Sequence, residues 1–272
     1  MRTQAPATES DAHAIGTAVD WPNGENLGTW CAVERLGRGG TAEVWRGVAP
    51  DGREAALKLV KRELRCHAGA DALLRREYEV LRTVMSPHLV EPYELLDCGG
   101  VAALALEYLP QGDLVPLLGA PPRRWLPAFG AVVSGLAALE RHGLAHGDLK
   151  ARNVLFAADG SARLADLTAA RPLEAQAATA TAAYAMPERL GARAREADLF
   201  ALAALLFELV TASLPYGELG ASAGAAIPEV ALPDPVAARL EAAAVEVLRS
   251  HGRVPGLSYF TDVIESVRVN DD

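Results

Sequence analysis

Cysteine is scarce in this chain of 272 residues. Its three cysteines, Cys31, Cys66 and Cys98, are scattered, and no two of them form a CxxC pair. Disulfide frameworks and structural zinc sites depend on suitably spaced sets of cysteines, so the sequence argues against both. The pattern favours a reducing compartment, and we expect a cytoplasmic protein.

An excess of positive charge is also absent. The chain has 26 lysines and arginines against 35 aspartates and glutamates, which gives a net charge of −9. General binding to nucleic acid or to anionic membranes is therefore not expected, although this balance is compatible with a local basic site.

Long apolar runs are missing too. Residues 1–16 contain acidic and polar side chains where a secretory signal would have an apolar core. The most apolar stretch, Leu199–Val210, is too short to span a bilayer and contains Glu208, so it predicts a buried helix. We expect a soluble protein without a membrane anchor, in which residues 1–26 form a flexible leader.

The composition nevertheless supports a large folded core. Half of the residues are hydrophobic and 22% are charged, which is typical of globular proteins. A chain of this length suits one large domain or two lobes that share a cleft.

Residues 146–153 form the densest cluster of chemically useful side chains. This stretch places an acid, a base and an amide, Asp148, Lys150 and Asn153, between two apolar segments. A second acid, Asp166, follows after a predicted hairpin. We interpret this layout as a catalytic loop with a metal-binding carboxylate beside it.

The first half of the chain is rich in strand patterns. A glycine-rich turn at residues 37–40 joins two apolar strands, which predicts a hairpin whose backbone N–H groups can approach a phosphate. An ordinary hairpin turn explains the same glycines equally well. No helix follows the turn, so neither a dinucleotide-binding fold nor a Walker A loop is supported.

Lys58 and Glu77 are charged residues within apolar patterns of this half. Lys58 lies in a predicted strand over residues 54–60, where it points either to solvent or into a cleft. Glu77 shares the inward stripe of a helix predicted over residues 71–84. Because a charge on a buried stripe needs a partner, we expect Glu77 to pair with Lys58.

The second half of the chain is predicted to be mainly helical. Two strands, over residues 89–96 and 101–106, lead to an extended segment that we interpret as a hinge, and Asp113 is the expected N-cap of a helix beyond it. Residues 171–186 lack periodicity and predict a loop. The further helices are predicted over residues 126–142, 198–212, 236–250 and 258–267.

The motifs of the first half, in their order, resemble those of a eukaryotic-type protein kinase, as found in bacterial serine/threonine kinases. Residues 37–44 resemble the glycine-rich loop of that family, and Ala56-Leu57-Lys58 resembles its third-strand lysine motif. Glu77 occupies the place of the helix C glutamate. The resemblance covers roughly residues 29–267.

The second half continues the same series of motifs. Residues 146–153 resemble the catalytic loop, and Asp166-Leu167-Thr168 resembles the metal-binding DFG element. Met186-Pro187-Glu188 resembles the APE element that ends the activation segment. Asp198 resembles the buried aspartate that opens helix F.

The resemblance implies an α+β, bilobal protein-kinase-like fold. A small antiparallel sheet with one helix is expected as the N-lobe over residues 27–106, and a larger, mainly helical C-lobe over residues 113–268. Residues 107–112 would form the hinge, and residues 269–272 a tail.

The same resemblance implies ATP and Mg²⁺ as cofactors and serine or threonine hydroxyls of proteins as acceptors. Lys58, held by Glu77, would bind the α- and β-phosphates. Asp148 would accept the hydroxyl proton, and Lys150 would neutralise the γ-phosphate. Asn153 and Asp166 would bind the metal. The further residues implied for the nucleotide site are Gly37, Gly39, Gly40, Ala42, Val44, Ala56, Leu106, Glu107 and Leu109.

Several positions depart from the family pattern. The third loop glycine is Ala42, and the region after residue 216 is short where the family has helix G. The arginine that normally precedes the catalytic aspartate is Gly147, so no arginine is expected there to receive an activation-loop phosphate. Alanine at Thr179 and Thr181 is therefore expected to leave turnover largely intact.

Thr168 is a further departure, since the DFG element normally has glycine at this position. A threonine removes backbone freedom where the segment usually flips, and we expect it to favour one state. His142 and His146 imitate metal-ligand spacing, but the glycine between them argues against a metal site. Arg253 is expected either to pair with Glu188 or to lie in solvent.

Two other functions are compatible with the motifs. The altered loop and DFG positions suit a pseudokinase or nucleotide-binding scaffold that acts through a partner, although the five key polar residues are all present. His-Gly-Asp is typical of small-molecule phosphotransferases of the aminoglycoside type, although the APE-like element argues against them. Lys150 favours serine/threonine over tyrosine acceptors, and we expect a regulatory protein partner.

Overall fold

The computed structural model describes residues 26–64, 70–97, 102–177, 181–187, 191–221, 226–251, 253 and 256–268. Most of the predicted leader lies outside these residues. So do Cys66, Cys98, Thr179 and Glu188. Arg253 is exposed, as one of its two predicted alternatives requires, and its pairing with Glu188 stays a prediction.

The first half of the chain forms a six-stranded antiparallel sheet with the strand order β1-β2-β3-β4-β6-β5. One face of this sheet packs against helix α1 and the rest of the molecule, and the other face has a small apolar core of its own around Trp30 and Leu57. The strands are Asn26–Leu27 (β1), Trp30–Arg38 (β2), Ala42–Val48 (β3), Glu54–Val60 (β4), Pro92–Asp97 (β5) and Ala102–Glu107 (β6).

Helix α1, Ala70–Val84, confirms the helix predicted from the apolar spacing of this region. Leu74, Glu77, Leu81 and Val84 are buried along one stripe, as the 3.6-residue period requires. The stripe packs on strands β4, β5 and β6 and on the turn that follows Asp166, so it carries an acid into the middle of the molecule.

In the described residues, the second half is built on four α-helices and two short strand pairings, β7 with β10 and β8 with β9. Helix α3 lies at its centre, and nearly all of its side chains are buried, which explains its continuous apolar sequence. The helices are Pro122–Arg141 (α2), Ala194–Thr211 (α3), Pro235–Arg249 (α4) and Leu257–Arg268 (α5), and the strands are Leu144–Ala145 (β7), Val154–Phe156 (β8), Ala162–Leu164 (β9) and Arg171–Pro172 (β10).

Two strand predictions need correction. The strand expected over residues 89–96 begins only at Pro92, because Leu89 forms a bridge with Leu164 of β9 and Val90 donates its N–H to the Leu164 carbonyl. Residues 171–186 are not all loop, since β10 pairs with β7.

Three helix starts were also predicted wrongly. Helix α2 begins at Pro122 instead of residue 126. Asp113 does not begin an α-helix: its carboxylate accepts the N–H of Val115 at 3.1 Å and precedes a single 3-10 turn. Gly119, with φ +70°, then turns the chain away from helical geometry before α2 begins. Helix α3 begins at Ala194 instead of Asp198, because Glu196 accepts the N–H of Arg193 and closes the first turn.

None of the described helices is both long enough and apolar enough to cross a membrane. The helix predicted at the most apolar stretch is instead the buried centre of the second half.

Leu205→Ala in α3 should lower the free energy of unfolding by about 2–5 kcal/mol, because Leu205 is fully buried and the truncation leaves a cavity. Leu219→Ala makes the same chemical change at a side chain that is 77% exposed, and it should change the free energy by less than about 0.5 kcal/mol. Urea unfolding followed by circular dichroism measures both. Similar losses in the two variants would contradict the central position of α3.

Candidate active site

Lys58 lies at the centre of a group of four polar residues, called here the lysine cluster: Lys58, Glu77, Asp166 and Thr168. The Lys58 ammonium donates to Glu77 Oε2, to Asp166 Oδ1 and to Thr168 Oγ1, each at 2.7 Å. Lys58 is buried in β4 and Glu77 is completely buried in α1. The predicted pairing of Lys58 with Glu77 is therefore confirmed.

The charges of this cluster stabilise one another. Burial by itself lowers the pKa of Lys58, but the carboxylates of Glu77 and Asp166 outweigh it and raise the pKa above its ordinary value. Burial likewise tends to raise the pKa of Asp166, but the Lys58 ammonium lowers it well below its ordinary range, with help from the Thr168 hydroxyl. Both groups are therefore charged at neutral pH.

Glu77 also binds the segment that follows Asp166. Its Oε1 accepts the backbone N–H of Leu167 at 3.2 Å, and its Oε2 accepts the hydroxyl of Thr168 at 2.9 Å. Asp166 itself has left-handed backbone, with φ +64°, which aspartate tolerates better than most residues. Helix α1 and residues 166–168 are thus fixed to each other through one carboxylate.

A second group, called here the aspartate cluster, consists of Asp148, Lys150, Asn153 and Thr181. Asp148 Oδ2 accepts the Lys150 ammonium at 2.6 Å, and its Oδ1 accepts both the N–H and the hydroxyl of Thr181, at 2.9 and 2.8 Å. Lys150 also donates to the Thr181 hydroxyl at 3.0 Å. Asn153 donates its amide to the Asp148 carbonyl at 2.8 Å. The acid, base and amide of the predicted catalytic loop do lie together.

His146 connects the two clusters. Its Nδ1 accepts the N–H of Asp148, and its Nε2 lies 3.1 Å from the carbonyl of Ala165, to which an Nε2–H would donate. Ala165 immediately precedes Asp166, and its N–H donates to the Asn153 carbonyl at 2.8 Å. The imidazole and this backbone bond hold the catalytic loop beside the metal-binding candidate.

Asp198 of α3 holds the start of the same loop by hydrogen bonds to its backbone. Its buried carboxylate accepts the backbone N–H groups of His146 at 2.6 Å and of Gly147 at 2.9 Å. Burial raises the pKa of Asp198, against the opposing effect of His146 and of these two N–H groups. Helix α3 therefore positions the catalytic loop directly through one side chain.

The glycine at position 147 has a steric reason. Gly147 has φ +84°, and a Cβ there would lie 2.6 Å from the carbonyl oxygen of Ala169. The backbone of the catalytic loop therefore packs directly on the segment that follows Asp166, a contact that the sequence did not reveal.

Four of the side chains implied for the nucleotide site lie on one face of the sheet: Val44, Ala56, Lys58 and Leu106. Val44 is opposite Lys58 in the β3–β4 register, and Ala56 is opposite Leu106 in the β4–β6 register. Opposite residues in antiparallel strands share a face, as do alternate residues along a strand. Because Lys58 reaches Asp166 from this face, all four side chains lie on the side of the catalytic loop.

The glycine-rich hairpin lies at the end of this face. Strand β2 continues through Gly37 to Arg38, two residues further than predicted, and Gly39 donates its N–H to the Ala42 carbonyl at 2.8 Å. A Cβ at Gly37 or Gly40 would meet no atom within 4 Å, so the turn is open around its backbone. Ala42 is buried in β3, where its methyl group fits without displacing the hairpin.

The segment after β6 offers backbone groups to a ligand. Among the described residues, none accepts a hydrogen bond from the N–H of Leu109. The Glu107 side chain points to Arg163, at 3.6 Å, and its N–H donates to the Glu91 carbonyl at 2.8 Å. Glu107 could therefore contact a nucleotide only through its remaining backbone carbonyl.

Thr181 has contacts that the sequence-based expectation did not take into account. Alanine at this position was expected to leave turnover largely intact. The Thr181 hydroxyl, however, bridges Asp148 and Lys150. Removal of that hydroxyl would leave both charged groups without one partner.

Sequence reasoning missed two further contacts. It treated Thr168 only as a loss of backbone freedom, whereas its hydroxyl belongs to the lysine cluster. It also missed the hydrogen bond from the Tyr184 hydroxyl to Glu208 in α3, where burial raises the pKa of both groups. The acid within an otherwise apolar helix was the available signal, because such a charge needs a partner.

The two histidines with metal-like spacing do not face a common site. His142 follows the end of α2 and bonds the Ala138 carbonyl at 2.9 Å, while His146 bonds Ala165. No group of three or more histidine, cysteine, aspartate or glutamate side chains suited to a metal occurs in the described part of the chain.

Comparison with known proteins agrees with this geometry. The family model of the protein kinase domain matches residues 30–231, which include both clusters. The chain belongs to the protein kinase family. The bilobal fold, with a six-stranded antiparallel sheet and a mainly helical second half, is that of a kinase.

Curated relatives of this kinase occur in plants and bacteria. CBL-interacting protein kinase 4 of Oryza sativa subsp. japonica is 34% identical over 71% of this chain and 46% of its own length. Serine/threonine-protein kinase PknL of Mycobacterium tuberculosis is 32% identical over 67% of this chain and 49% of its own. Serine/threonine-protein kinase pkn2 of Myxococcus xanthus is 30% identical over 70% and 25%, respectively. The chain thus spans a quarter to about half of the length of these relatives.

Two oxygens of the kinase site suit a magnesium ion. Asn153 uses its amide N–H on Asp148, which leaves Oδ1 available as an acceptor. Asp166 uses Oδ1 in the lysine cluster, and none of the described residues donates to its Oδ2. Carboxylate and amide oxygens are hard ligands of the kind that Mg²⁺ prefers.

Gly147→Ala should destabilise this kinase more than Gly143→Ala. Both glycines have left-handed backbone, with φ +84° and +71°, so both variants carry a similar cost of about 1 kcal/mol. Only the first adds a contact, at 2.6 Å from Ala169, whereas Gly143 has no atom within 4 Å of an added Cβ. Thermal unfolding should place the melting temperature of Gly147→Ala about 3 °C or more below that of Gly143→Ala. Equal melting temperatures would contradict the close packing of the loop on Ala169.

Proposed function

We propose that this kinase transfers the γ-phosphate of ATP to serine or threonine hydroxyls of protein substrates, in the presence of Mg²⁺. The observation that carries this proposal is the connection of the lysine cluster to the aspartate cluster through His146. Phosphoryl transfer depends mainly on positioning and on neutralisation of charge, and these two clusters supply both.

Lys58 is the group proposed to bind the α- and β-phosphates. Its ammonium is buried at the base of the open glycine-rich hairpin, and Glu77 keeps it in place at 2.7 Å. Val44, Ala56 and Leu106 would flank the adenine on the same face. The N–H of Leu109, which has no acceptor among the described residues, would donate to the edge of the adenine.

Asn153 and Asp166 are proposed to hold the metal ion. A bound Mg²⁺ would neutralise part of the phosphate charge that develops during transfer. The chain's contribution is to keep the two ligands in place: Asn153 through its bond to the Asp148 carbonyl, and Asp166 through Lys58 and Thr168.

Asp148 is proposed to accept the proton of the substrate hydroxyl. Its Oδ1 already accepts a hydrogen bond from a hydroxyl group, that of Thr181, at 2.8 Å. Lys150 is 2.6 Å from the other carboxylate oxygen, so its charge lies where the γ-phosphate would meet the acceptor.

Serine and threonine are the proposed acceptors because Lys150 and Thr181 are bonded to the same carboxylate. The names of PknL and pkn2 give serine/threonine kinase activity for those proteins. We also propose a cytoplasmic location and a regulatory protein partner. The name of the rice relative gives a partner for that protein, and this chain covers only part of its length.

The two alternative functions find no support. A pseudokinase or scaffold does not require the polar residues of both clusters to be bonded in one network. A small-molecule phosphotransferase is not favoured by any of the relatives described above, which are named as protein kinases.

Asp148→Asn should slow transfer by about 10²–10⁴-fold while it leaves nucleotide binding intact. The amide cannot take up the hydroxyl proton, and loss of a general base typically costs about 10²–10⁴ in rate. Asp159→Asn makes the same change in the exposed β8–β9 turn and should retain full activity. Radiolabelled ATP with Mg²⁺ and casein as acceptor, followed by phosphoamino-acid analysis, measures transfer, and a fluorescent ATP analogue measures binding. Phosphotyrosine, or transfer by Asp148→Asn at the rate of the unaltered chain, would contradict the proposal.

Thr181→Ala should lower kcat by about tenfold or more, because hydrogen bonds to charged groups contribute about 1.5–3 kcal/mol. Thr181→Ser keeps the hydroxyl and should restore most of the rate. Thr261→Ala in α5 is the matched control, because among the described residues the Thr261 hydroxyl bonds only the Leu257 carbonyl of its own helix. Full turnover by Thr181→Ala would show that the bridge between Asp148 and Lys150 is dispensable.

A further inference from the structure

Thr168 contacts every charged member of the lysine cluster. Its Oγ1 accepts from the Lys58 ammonium at 2.7 Å, and it lies 2.7 Å from Asp166 Oδ1 and 2.9 Å from Glu77 Oε2. The sequence-based expectation for Thr168 concerned only its backbone.

The hydroxyl completes the hydrogen bonding of a buried charge. An ammonium has three N–H donors, and Lys58 directs them to Glu77, to Asp166 and to Thr168. Without the third acceptor, one N–H of a buried cation would lose its partner, and unpaired buried donors are costly.

The single proton of the hydroxyl is shared between two carboxylates. It can be donated to Glu77 or to Asp166, but not to both at once. When Lys58 turns to phosphate and Asp166 to a metal ion, Glu77 still offers Thr168 an acceptor, at 2.9 Å. The hydroxyl can therefore keep α1 bound to this segment in both situations.

The backbone around Thr168 is held from two sides. Thr168 lies in the 3-10 turn Leu167–Ala169, a geometry open to any residue, so no glycine is needed there. On one side Glu77 accepts the N–H of Leu167, and on the other the backbone of Gly147 lies against Ala169.

We propose that Thr168 is a positioning residue that holds Lys58, Glu77 and Asp166 in their working arrangement before nucleotide or metal binds. The inference rests on the proposed kinase function for its effect on turnover, but the arrangement itself concerns the free protein. It also accounts for the absence of an arginine at Gly147: a segment that is already fixed needs no phosphate receptor to fix it.

Three substitutions separate the hydroxyl from the shape of the side chain. Thr168→Val keeps the branched shape and removes the hydroxyl, Thr168→Ser keeps the hydroxyl, and Thr168→Ala removes the side chain beyond Cβ. Thr83→Val is the matched control, because this exposed threonine of α1 bonds only the Glu79 carbonyl of its own helix.

Hydrogen–deuterium exchange of the nucleotide-free protein is the first measurement. Thr168→Val and Thr168→Ala should increase amide exchange in peptides that cover residues 163–177 and α1 by about tenfold, as local opening becomes easier. Thr168→Ser and Thr83→Val should exchange like the unaltered chain. If valine does not fold at position 168, alanine decides, because it cannot clash.

Steady-state kinetics with ATP and casein is the second measurement. The valine and alanine variants should lower kcat/KM for ATP by about tenfold, and serine should restore it to within about twofold. A merely structural role would lower the melting temperature of the valine variant without this change in kcat/KM.

Unchanged exchange and unchanged kcat/KM in Thr168→Val would overturn the inference. If the unaltered chain transfers no phosphate at all, the proposed function fails, and the exchange measurement alone decides whether Thr168 holds the cluster. Rescue by serine in both measurements supports the inference, and a serine variant that behaves like valine contradicts it.

Discussion

The buried ammonium of Lys58 is the constraint on which the rest of the site depends. A cation inside a protein is tolerated only when all of its donors are paired, and Lys58 finds its acceptors on α1 and on residues 166–168. Those acceptors come from sequence positions 19, 108 and 110 residues away. One side chain of β4 therefore determines where a helix and a loop of the other half must lie.

The second half also depends on one buried polar side chain, in this case an acid instead of a lysine. The side chain of Asp198 is buried in α3, and its two oxygens accept backbone N–H groups of the catalytic loop. His146 then carries the position of that loop to Ala165, next to the lysine cluster. Helix α3 is largely apolar, and its Asp198 side chain holds the catalytic loop through two hydrogen bonds. These bonds explain the presence of this acid in a buried helix.

The amount that could be predicted from the sequence depended on whether a feature is local. The pairing of Lys58 with Glu77 was predictable, because helical spacing puts an acid on a buried stripe and a buried acid needs a cation. The role of Thr168 was not, because a hydroxyl reaches three charges only after distant segments have met. The contact of Gly147 with Ala169 has no sequence signal for the same reason, and the early start of α3 depends on a capping bond.

Gly147 and Thr168, two departures from the family pattern, lie on either side of one contact, that of Gly147 with Ala169. A glycine stands where an arginine is usual, and its missing side chain lets the catalytic loop approach Ala169. A threonine stands where a glycine is usual. Its hydroxyl donates to Glu77 and so binds this turn, which also contains Ala169, to α1. Freedom is removed from the turn and a charge is removed from the loop, so the two departures act together. A turn that these contacts already hold in place has less need of a phosphate contact to hold it.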